Sequence, residues 1–425
     1  MMKGKRGIME FNTICVVGLG YIGLPTAAII ASRKKQVVGL DVNPDTVATI
    51  NRGEVHICEP DLDAMVKTAV AEGYLRATLT AEPADAFLIA VPTPFQGDHE
   101  PDLKYIEAAA RAIAPVLSAG NIVILESTSP VGATEMMAGW LAEARPDLKF
   151  PTTNSDDPDI FIAHCPERVL PGHVLRELVS NDRVIGGLTP NCSDHAKSLY
   201  QIFVEGDCIT TSARAAEMCK LTENSFRDVN IAFANELSII CAKLEIDVWE
   251  LISLANLHPR VNILQPGPGV GGHCIAVDPW FIVSAAPQEA KLIRQAREVN
   301  DSKPHWVIAR ISEAAASLGL SGRQPIIACL GLAFKADIDD LRESPALEIC
   351  RILAGIDRYQ VLAVEPNVIE LPQSLSGKVD LCSVDEAIDR ADIVVLLVDH
   401  RPFRDIPTDA LKGKQVIDTR GMWRS

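Results

Sequence analysis

Apolar runs of four to six residues alternate with amphipathic segments through the first half of the chain, and a polar stretch at Thr152–Asp159 is an obvious loop insertion. Short runs that are apolar throughout are typical of strands buried on both faces of a parallel sheet, with helices between them. The pattern therefore predicts a doubly wound α/β domain. Its predicted strands are Ile14–Val17, Gln36–Leu40, Ala86–Val91, Asn121–Leu125, Ile160–Ala163 and Arg183–Gly187.

The pattern changes in the middle of the chain. Helical periodicity without strands extends from Ala213 to Leu257 and from Gln288 to Leu318. Apolar runs then return, at Pro325–Gly331, Gln360–Val364, Ile393–Val398 and Gln415–Asp418. We predict an α/β protein with two Rossmann-like doubly wound domains joined by a central helical region, with bounds at 11–205, 206–310 and 311–425. A middle helix that is apolar on more than one face is expected to form a homodimer surface.

The first predicted strand leads into the turn Gly18-Leu19-Gly20-Tyr21-Ile22-Gly23 and then into an Ala- and Ile-rich segment. In such a turn Gly18 allows the tight bend, Gly20 lets backbone amides approach a pyrophosphate, and Gly23 lets helix and strand pack closely. Asp41 ends the second strand about 20 residues later, where a carboxylate binds ribose hydroxyls and repels a 2′-phosphate. The spacing indicates an NAD site; the alternative is a glycine-rich turn in an unrelated α/β protein.

Composition narrows the class of protein. The net charge of −16 argues against nucleic acid or an anionic membrane as the main partner. Eleven cysteines without C-x-x-C spacing are typical of reduced thiols in a cytoplasmic protein, and they predict no metal site. No stretch has the length of a membrane span, and the basic start Met1–Arg6 precedes no apolar segment of a signal peptide.

Cys274 lies in a glycine-rich loop, Gly267–Asp278, rather than in an apolar run. A dehydrogenase that removes one hydride from an alcohol does not need a thiol. A thiol becomes useful when the product is an aldehyde that is oxidised again, because a thiohemiacetal is a good hydride donor. The pairing of this loop with the NAD turn predicts oxidation of an alcohol to an acid in two steps; an inert structural thiol is the alternative.

The chain resembles the UDP-glucose/GDP-mannose dehydrogenase family from about Thr13 to its end. The resemblance implies a four-electron oxidation of a UDP-sugar at C6 that consumes two NAD. Seven motifs in the family's order carry it: Val17–Gly23, Val91–Pro94, Glu126–Gly132, Cys165–Val169, the Lys220–Arg227 helix, the Cys274 loop and Phe334–Ser344.

The resemblance also implies roles for catalytic residues. Cys274 would attack the C6 aldehyde, and the resulting thioester would be hydrolysed. Lys220 and Asn224, one helical turn apart, would stabilise the alkoxide and the later oxyanions. Asp278 or Glu167 would position or deprotonate the hydrolytic water. Without the family motif, Lys220 reads as a solvated helix residue and the two carboxylates as caps or ion-pair partners.

Binding residues follow from the same resemblance. Arg260 would reach into a neighbouring subunit, so that the homodimer shares an arginine. Lys335 and Arg342 would meet the diphosphate or the sugar, and Ser344-Pro345 reads as a helix N-cap followed by proline. The remaining substrate residues would be Arg168, Val169, Lys220, Asn224, Arg227, His258, Gly271, Phe334 and Arg420. The cofactor residues would be Gly18, Gly20, Tyr21, Ile22, Asp41, Thr93, Thr128 and Thr134, of which Thr134 has a helix-start role as its alternative.

Two features favour an acetamido sugar. His273 precedes the cysteine, and the segment Asp337–Arg342 resembles the branch of the family that acts on UDP-N-acetylhexosamines. Overall resemblance points to UDP-N-acetylmannosamine, with an acid product that feeds surface polysaccharide assembly. UDP-N-acetylglucosamine or UDP-glucose are alternatives, as are a two-electron hydroxyacid-type dehydrogenase and a catalytically silent NAD-binding subunit.

Overall fold

The computed structural model describes residues 10–57, 59–97, 99–151, 158–170, 172–272, 274–320 and 322–423. The basic start Met1–Arg6, most of the predicted Thr152–Asp159 loop and His273 lie outside these ranges. The chain forms two compact units, Met1–Glu223 and Asn224–Ser425. The predicted bounds 11–205, 206–310 and 311–425 stay a prediction.

The first unit contains ten strands and seven complete helices within the described residues, together with the start of an eighth helix. The strands are β1 (Thr13–Val17), β2 (Gln36–Leu40), β3 (Leu75–Thr78), β4 (Ala86–Ile89), β5 (Phe95–Gln96), β6 (Glu100–Pro101), β7 (Ile122–Leu125), β8 (Phe161–His164), β9 (Arg183–Gly187) and β10 (Cys208–Ser212). The helices are α1 (Gly23–Ser32), α2 (Pro44–Asn51), α3 (Leu62–Ala71), α4 (Lys104–Ile113), α5 (Ala133–Ala144), α6 (Val174–Ser180), α7 (Pro190–Tyr200) and α8 (Ala213–Leu244), which continues into the second unit.

Eight of these strands form one sheet in the order β10-β9-β8-β7-β4-β1-β2-β3. Six neighbouring strands of this sheet run parallel in the order of a dinucleotide-binding fold: β3, β2, β1, β4, β7 and β8. This confirms the predicted doubly wound sheet. The prediction of a fully parallel sheet is wrong towards one edge, because β9 pairs with β8 antiparallel. An apolar run has the same appearance in either direction, so its hydrophobicity carries no information on strand direction. The edge strands β3 and β10 were not predicted, because neither is an apolar run. In β3 buried and more exposed side chains alternate, and in β10 every side chain is at least partly exposed.

The core of the first unit lies on both faces of this sheet. Ile14 and Val16 of β1 pack with α1, α3, α6 and α7 on one face. Cys15 and Val17 point to the other face, where they pack with α4 and α5. Alternation along a strand and helices on both faces explain why β1 is apolar throughout.

The second unit combines helices with a smaller sheet. The five strands are all parallel, in the order β13-β12-β11-β14-β15. They are β11 (Ile326–Leu330), β12 (Gln360–Val364), β13 (Asp380–Leu381), β14 (Ile393–Leu396) and β15 (Gln415–Asp418). The helices after α8 are α9 (Val248–Ala255), α10 (Asp278–Ala285), α11 (Lys291–Ser317), α12 (Pro345–Ala354), α13 (Val384–Arg390) and α14 (Arg401–Arg404).

The helical middle and the second α/β sheet confirm the predicted fold class. Helices α8, α9 and α11 cover the two segments in which the sequence predicts helices without strands. Ser344 caps α12 through its hydroxyl, which accepts a hydrogen bond from Leu347 N, and Pro345 occupies the first position of the helix, as predicted. Among the described residues no helix is both long and apolar enough to cross a bilayer.

Candidate active site

The glycine turn of the first unit has the geometry of a pyrophosphate site. Gly18 has a φ of +87° and donates its N–H to Leu40 O over 2.8 Å. A Cβ on Gly23 would stand 1.8 Å from Gly18 O, so only glycine permits this helix–strand approach. A Cβ on Gly20 would meet nothing within 4 Å, which leaves open space beside the start of α1. No side chain caps the start of α1, so the positive end of the helix dipole is available to an anionic ligand.

Asp41 is held beside this turn by two backbone N–H groups. Its Oδ2 accepts from Leu19 N over 2.8 Å and its Oδ1 from Asn43 N over 2.9 Å. The half-buried carboxylate is therefore fixed in orientation at the end of β2, where dinucleotide folds bind the ribose. Tyr21 is 46% exposed and Ile22 directly precedes α1, so both border the open side of the turn.

Two predicted cofactor residues differ in what their hydroxyls do. The Thr93 hydroxyl oxygen is buried and has no hydrogen-bond partner among the described residues, which suits a ligand. Thr134 is fully buried, and both its hydroxyl and its N–H donate to Glu217, over 2.6 and 2.8 Å. Its cofactor role stays a prediction, as does that of the half-buried Thr128. In the structure Thr134 ties the start of α5 to α8 through Glu217, which the sequence analysis did not single out.

Glu167 and Lys220 interact electrostatically within the first unit. Burial raises the pKa of Glu167 to about 7, while the nearby Lys220 charge acts in the opposite direction. The Lys220 side chain is buried, although a lysine on a helix is usually solvated. A carboxyl group with a pKa near neutrality can accept and return a proton at working pH, as a general base requires.

The two residues after Glu167 are also predicted site residues. Val169 donates its N–H to Glu167 Oε1. Arg168 forms an ion pair with Glu223 over 2.6 Å and donates to the backbone oxygen of Asp182 over 3.3 Å. These bonds hold the Cys165–Val169 motif in one conformation.

Cys274, Asp278 and Asn224 come together in the second unit. Cys274 is exposed, and its carbonyl accepts hydrogen bonds from Val277 N (3.1 Å) and Asp278 N (2.8 Å) in the turn that begins α10. The Asp278 side chain is buried and accepts from Asn224 Nδ2 over 2.5 Å. An accessible thiol therefore lies one turn from an oriented carboxylate, which is the arrangement that nucleophilic attack followed by hydrolysis requires.

A buried polar network supports the cysteine loop at both ends. Asn235 of α8 accepts from Gly267 N over 2.9 Å, at the start of the loop. Arg297 of α11 donates to the carbonyl of Ile275 over 3.4 Å, directly after Cys274. Asn300 joins the two supports, because it accepts from Asn235 over 2.9 Å and donates to Asp228 Oδ1 over 2.8 Å, as Arg297 also does over 2.6 Å.

The sequence analysis missed all four of these polar residues. Their signal is weak, because polar residues on helices normally face water and only packing shows that Asp228, Asn235, Arg297 and Asn300 are buried.

The loop also meets the predicted substrate residues of the last α/β region. A Cβ on Gly271 would stand 2.4 Å from Glu343 O and 2.8 Å from Phe334 Cβ. Gly272 donates its N–H to Arg342 O over 3.3 Å. Arg420 also reaches the loop, since a Cβ on Gly267 would stand 2.6 Å from Arg420 Nη1. The structure thus brings Gly271, Phe334, Arg342 and Arg420 together at the cysteine loop.

Three cations accompany this cluster, two of them exposed. Lys335 is exposed, and Arg342 is exposed while paired with Asp340 over 2.6 Å. Arg420 is paired with Asp399 over 2.9 Å. Cationic groups on a solvent-facing segment match the charge of a diphosphate.

Three predicted substrate residues lie elsewhere on the surface of the second unit. Arg227 is exposed on α8, and His258 and Arg260 are exposed after α9, where Arg260 N donates to His258 Nδ1 over 3.3 Å. Their roles stay predictions. Among the described residues no group of three or more His, Cys, Asp or Glu side chains is arranged to hold a metal ion.

A Rossmann-type NAD turn, a second nucleotide-type sheet and a supported cysteine loop define a nucleotide-dependent dehydrogenase. Family models make the assignment specific: the chain belongs to the UDP-glucose/GDP-mannose dehydrogenase family. The NAD-binding domain of the family matches residues 12–204, the central domain 214–302 and the UDP-binding domain 328–425. The protein is therefore an NAD-dependent dehydrogenase, and the recognised family, the enzyme class and the NAD cofactor are confirmed.

Similar proteins cover nearly the whole chain. An NDP-N-acetyl-D-galactosaminuronic acid dehydrogenase of Ralstonia nicotianae is 65% identical over 98% of this chain and 97% of the relative. A UDP-N-acetyl-D-mannosamine dehydrogenase of Salmonella typhi is 63% identical over 98% of this chain and 100% of the relative. The solved structure of a UDP-N-acetyl-mannosamine dehydrogenase from S. aureus is 41% identical, with a TM-score of 0.85, over 97% of this chain and 96% of that chain.

Proposed function

We propose that the protein oxidises UDP-N-acetyl-D-mannosamine at C6 to UDP-N-acetyl-D-mannosaminuronic acid. The observation that carries the proposed chemistry is the exposed Cys274 thiol in a loop that is hydrogen-bonded to Asp278 and Asn224. The acetamido-mannose substrate is supported by the names of the Salmonella relative and the S. aureus structure. Its acid product would serve surface polysaccharide assembly.

The chain's own residues would act on the substrate as follows. NAD, bound by the glycine turn and Asp41, supplies the hydride acceptor for both oxidations. Lys220 and Asn224 would stabilise negative charge on the C6 oxygen. The Cys274 thiolate would add to the C6 aldehyde, forming a C–S bond, and loss of hydride from this thiohemiacetal leaves a thioester.

Hydrolysis of the thioester completes the reaction. Asp278 or Glu167 would take a proton from water, the water oxygen would bond to C6, and the C–S bond would break to return the thiolate. One alcohol, two NAD and one water thus give one carboxylate, two NADH and three protons. The raised pKa of Glu167, about 7, makes its carboxyl group a competent alternative to the buried Asp278 as the base.

Counting products tests this function directly. Incubation with NAD and UDP-N-acetylmannosamine is expected to yield two NADH per acid, measured by absorbance and mass spectrometry. Cys274→Ser is expected to lose almost all acid formation, since the thioester cannot form. Cys382→Ser is the matched control, because Cys382 is a partly exposed thiol in the same unit. One NADH per turnover, together with normal turnover by Cys274→Ser, would instead identify a two-electron hydroxyacid-type dehydrogenase.

A second candidate substrate has a specific observation in its favour. The Ralstonia relative, named for N-acetyl-D-galactosaminuronic acid, is as similar to this chain as the Salmonella relative. Both names share an acetamido sugar and differ in its configuration. The same assay with the UDP-activated manno, galacto and gluco acetamido sugars and with UDP-glucose decides among them: the highest kcat/KM with UDP-N-acetylmannosamine supports the proposal, and another sugar in that place rejects it.

We also propose that the protein is a homodimer formed through α8. Phe226, Phe233 and Ile240 recur every seven residues on this helix and are 68%, 51% and 45% exposed, and Leu244 continues the row at 61%. An apolar row on a helix needs cover, and a second copy supplies it by symmetry. Phe233→Glu is expected to give monomers in light scattering, with Val42→Glu, at an exposed apolar site in the other unit, as control. A Phe233→Glu variant that keeps the wild-type mass would reject this interface.

The proposed homodimer would also share an arginine between its subunits. Arg260 lies on the exposed segment after α9, and we propose that it completes the partner's site. Mixing an inactive Cys274→Ser chain with an inactive Arg260→Ala chain would then restore activity, whereas an unshared arginine predicts no recovery. The buried cysteines Cys15, Cys165 and Cys329 form no disulfide bonds, which suits the reducing cytoplasm that we propose as the location.

A further inference from the structure

The second sheet repeats the nucleotide turn of the first. Gly331 follows β11 with a φ of +89° and donates its N–H to Val364 O over 2.8 Å. An acid, Glu365, ends β12 as Asp41 ends β2, and its Oε2 accepts from Leu332 N over 2.7 Å. Its Oε1 accepts from Asn367 N over 3.1 Å. These bonds match, one for one, the two backbone bonds of Asp41.

The two acids differ in what else covers them. Asp41 is half-buried, whereas Glu365 is buried and its Oε2 also accepts from Ala333 N (3.0 Å) and contacts His400 Nε2 (3.1 Å). His400 is itself fully buried. Burial raises the pKa of Glu365, but hydrogen bonds from His400 and the backbone outweigh it and leave the pKa below its usual value. The carboxylate is thus ionised and enclosed by donors from its own chain, and it has no face open to a ribose.

The contacts of His400 Nδ1 show which of the two ring nitrogens is protonated. His400 Nδ1 accepts from the backbone N–H of Asp337 over 2.9 Å and lies 3.1 Å from Asn367 Nδ2. With Nδ1 as acceptor, Nε2 carries the proton and donates to Glu365. Asp337 has a φ of +61°, a backbone conformation that residues other than glycine adopt at an energetic cost. Its hydrogen bond to His400 therefore holds a strained position.

We propose that Glu365 and His400 are positioning residues that hold the segment 332–342 ready for the UDP part of the substrate. Glu365 fixes the beginning of the segment at Leu332 and Ala333, and His400 fixes its middle at Asp337. Between and beyond these points lie Phe334, Lys335 and Arg342. Glu365 thus holds a loop, whereas Asp41, at the same place in the first unit, is expected to bind a ribose. The proposal rests on the segment 332–342 binding UDP, as in the proposed function.

The test compares substitutions at His400 in the full-length protein. His400→Phe keeps an aromatic ring beside Phe403 but removes both ring nitrogens. It is expected to raise KM for the UDP-sugar and the Kd for UDP about tenfold, while kcat and KM for NAD change less than twofold. His400→Gln retains one acceptor and one donor and is expected to stay within threefold of wild type. Arg401→Ala is the matched control, because Arg401 also pairs with Asp337 (3.0 Å) but is 82% exposed.

The outcomes separate this proposal from the proposed function. UDP binding by calorimetry reports on the loop even if none of the tested sugars is oxidised. Wild-type UDP affinity in His400→Phe, or equal losses in UDP affinity, NAD affinity and kcat, would overturn the positioning role. If His400→Phe shows no cooperative thermal transition, Glu365→Gln and His400→Gln decide: weaker UDP binding by Glu365→Gln with wild-type binding by His400→Gln supports the proposal, and any other result rejects it.

Discussion

Asn224 donates its side-chain amide to the buried carboxylate of Asp278 over 2.5 Å, and this bond fixes the direction in which the carboxylate points. Asp278 also donates its backbone N–H to Cys274 O, so the carboxylate and the thiol belong to one turn. An oriented carboxylate in the same turn as a thiol suits the proposed hydrolytic step rather than hydride transfer.

Asp278→Asn is therefore expected to lower steady-state kcat about 100-fold, within the range that general base catalysis supplies. The oxidations would still proceed, so NADH would appear in a burst of two equivalents and the chain would gain the mass of the sugar nucleotide acyl group. Rapid mixing and intact-protein mass spectrometry measure both. A burst of the same size without a covalent adduct would contradict the assignment.

Glu167 is expected to set a pH dependence near neutrality if it is the base. Burial raises its pKa to about 7, so the fraction of ionised carboxylate, and with it the rate of hydrolysis, would rise between pH 6 and 8. Glu167→Gln would then flatten this limb of the kcat profile. If Glu167→Gln keeps the wild-type profile, Asp278 alone activates the water.

The raised pKa of Glu167 also makes the free energy of unfolding depend on pH. The folded pKa of Glu167, about 7, exceeds the ordinary value of 4.5, so between these pH values the folded state binds the proton more tightly than the unfolded state. This contribution to the free energy of unfolding is present below pH 4.5 and falls as the pH rises to 7. Glu167→Gln, which stays uncharged, is expected to lose that decline in urea titrations across this range.

The ion pair between Arg297 and Asp228 is buried, with side chains 2% and 0% exposed and 2.6 Å between their atoms. Arg297→Leu would leave the Asp228 carboxylate unpaired in the core, at a cost of about 3–5 kcal/mol in unfolding free energy. Arg310→Leu is the control on the same helix, because its pair with Glu313 is exposed and contributes at most about 1 kcal/mol. If Arg297→Leu lowers the unfolding free energy by no more than about 1 kcal/mol, as the control is expected to do, the buried pair is not important for stability.

The glycine turn offers a matched test of close packing. Gly23→Ala would place a methyl group 1.8 Å from a backbone oxygen, so the turn must shift and NAD affinity is expected to fall at least about tenfold. Gly139 lies in α5 with nothing within 4 Å of its Cβ position, and Gly139→Ala is expected to keep NAD affinity and to stabilise the protein by about 0.5–1 kcal/mol. Calorimetry with NAD and urea titration measure both; unchanged affinity in Gly23→Ala would contradict the close approach.

Local features of the chain determined much of what was predicted. The spacing of Gly18, Gly20, Gly23 and Asp41 reflects the short-range geometry of one strand, turn and helix, and Ser344 caps its helix through a hydrogen bond three residues away. Contacts of this kind depend on neighbouring residues, so their sequence signal is strong. The cysteine loop was recognisable because a cysteine among glycines differs from cysteines that lie in apolar runs.

Tertiary structure alone decided which polar side chains are buried and what they hold. Glu217 meets Thr134 across 83 residues, Asn235 meets Asn300 across 65, and His400 meets Glu365 across 35. The residues near Glu217, Asn235 and His400 in the chain do not distinguish these side chains from solvated ones, because only packing determines whether water or a distant side chain is the partner. The reversed direction of β9 has the same origin, since strand direction depends on the path of the chain rather than on the apolar residues within the strand.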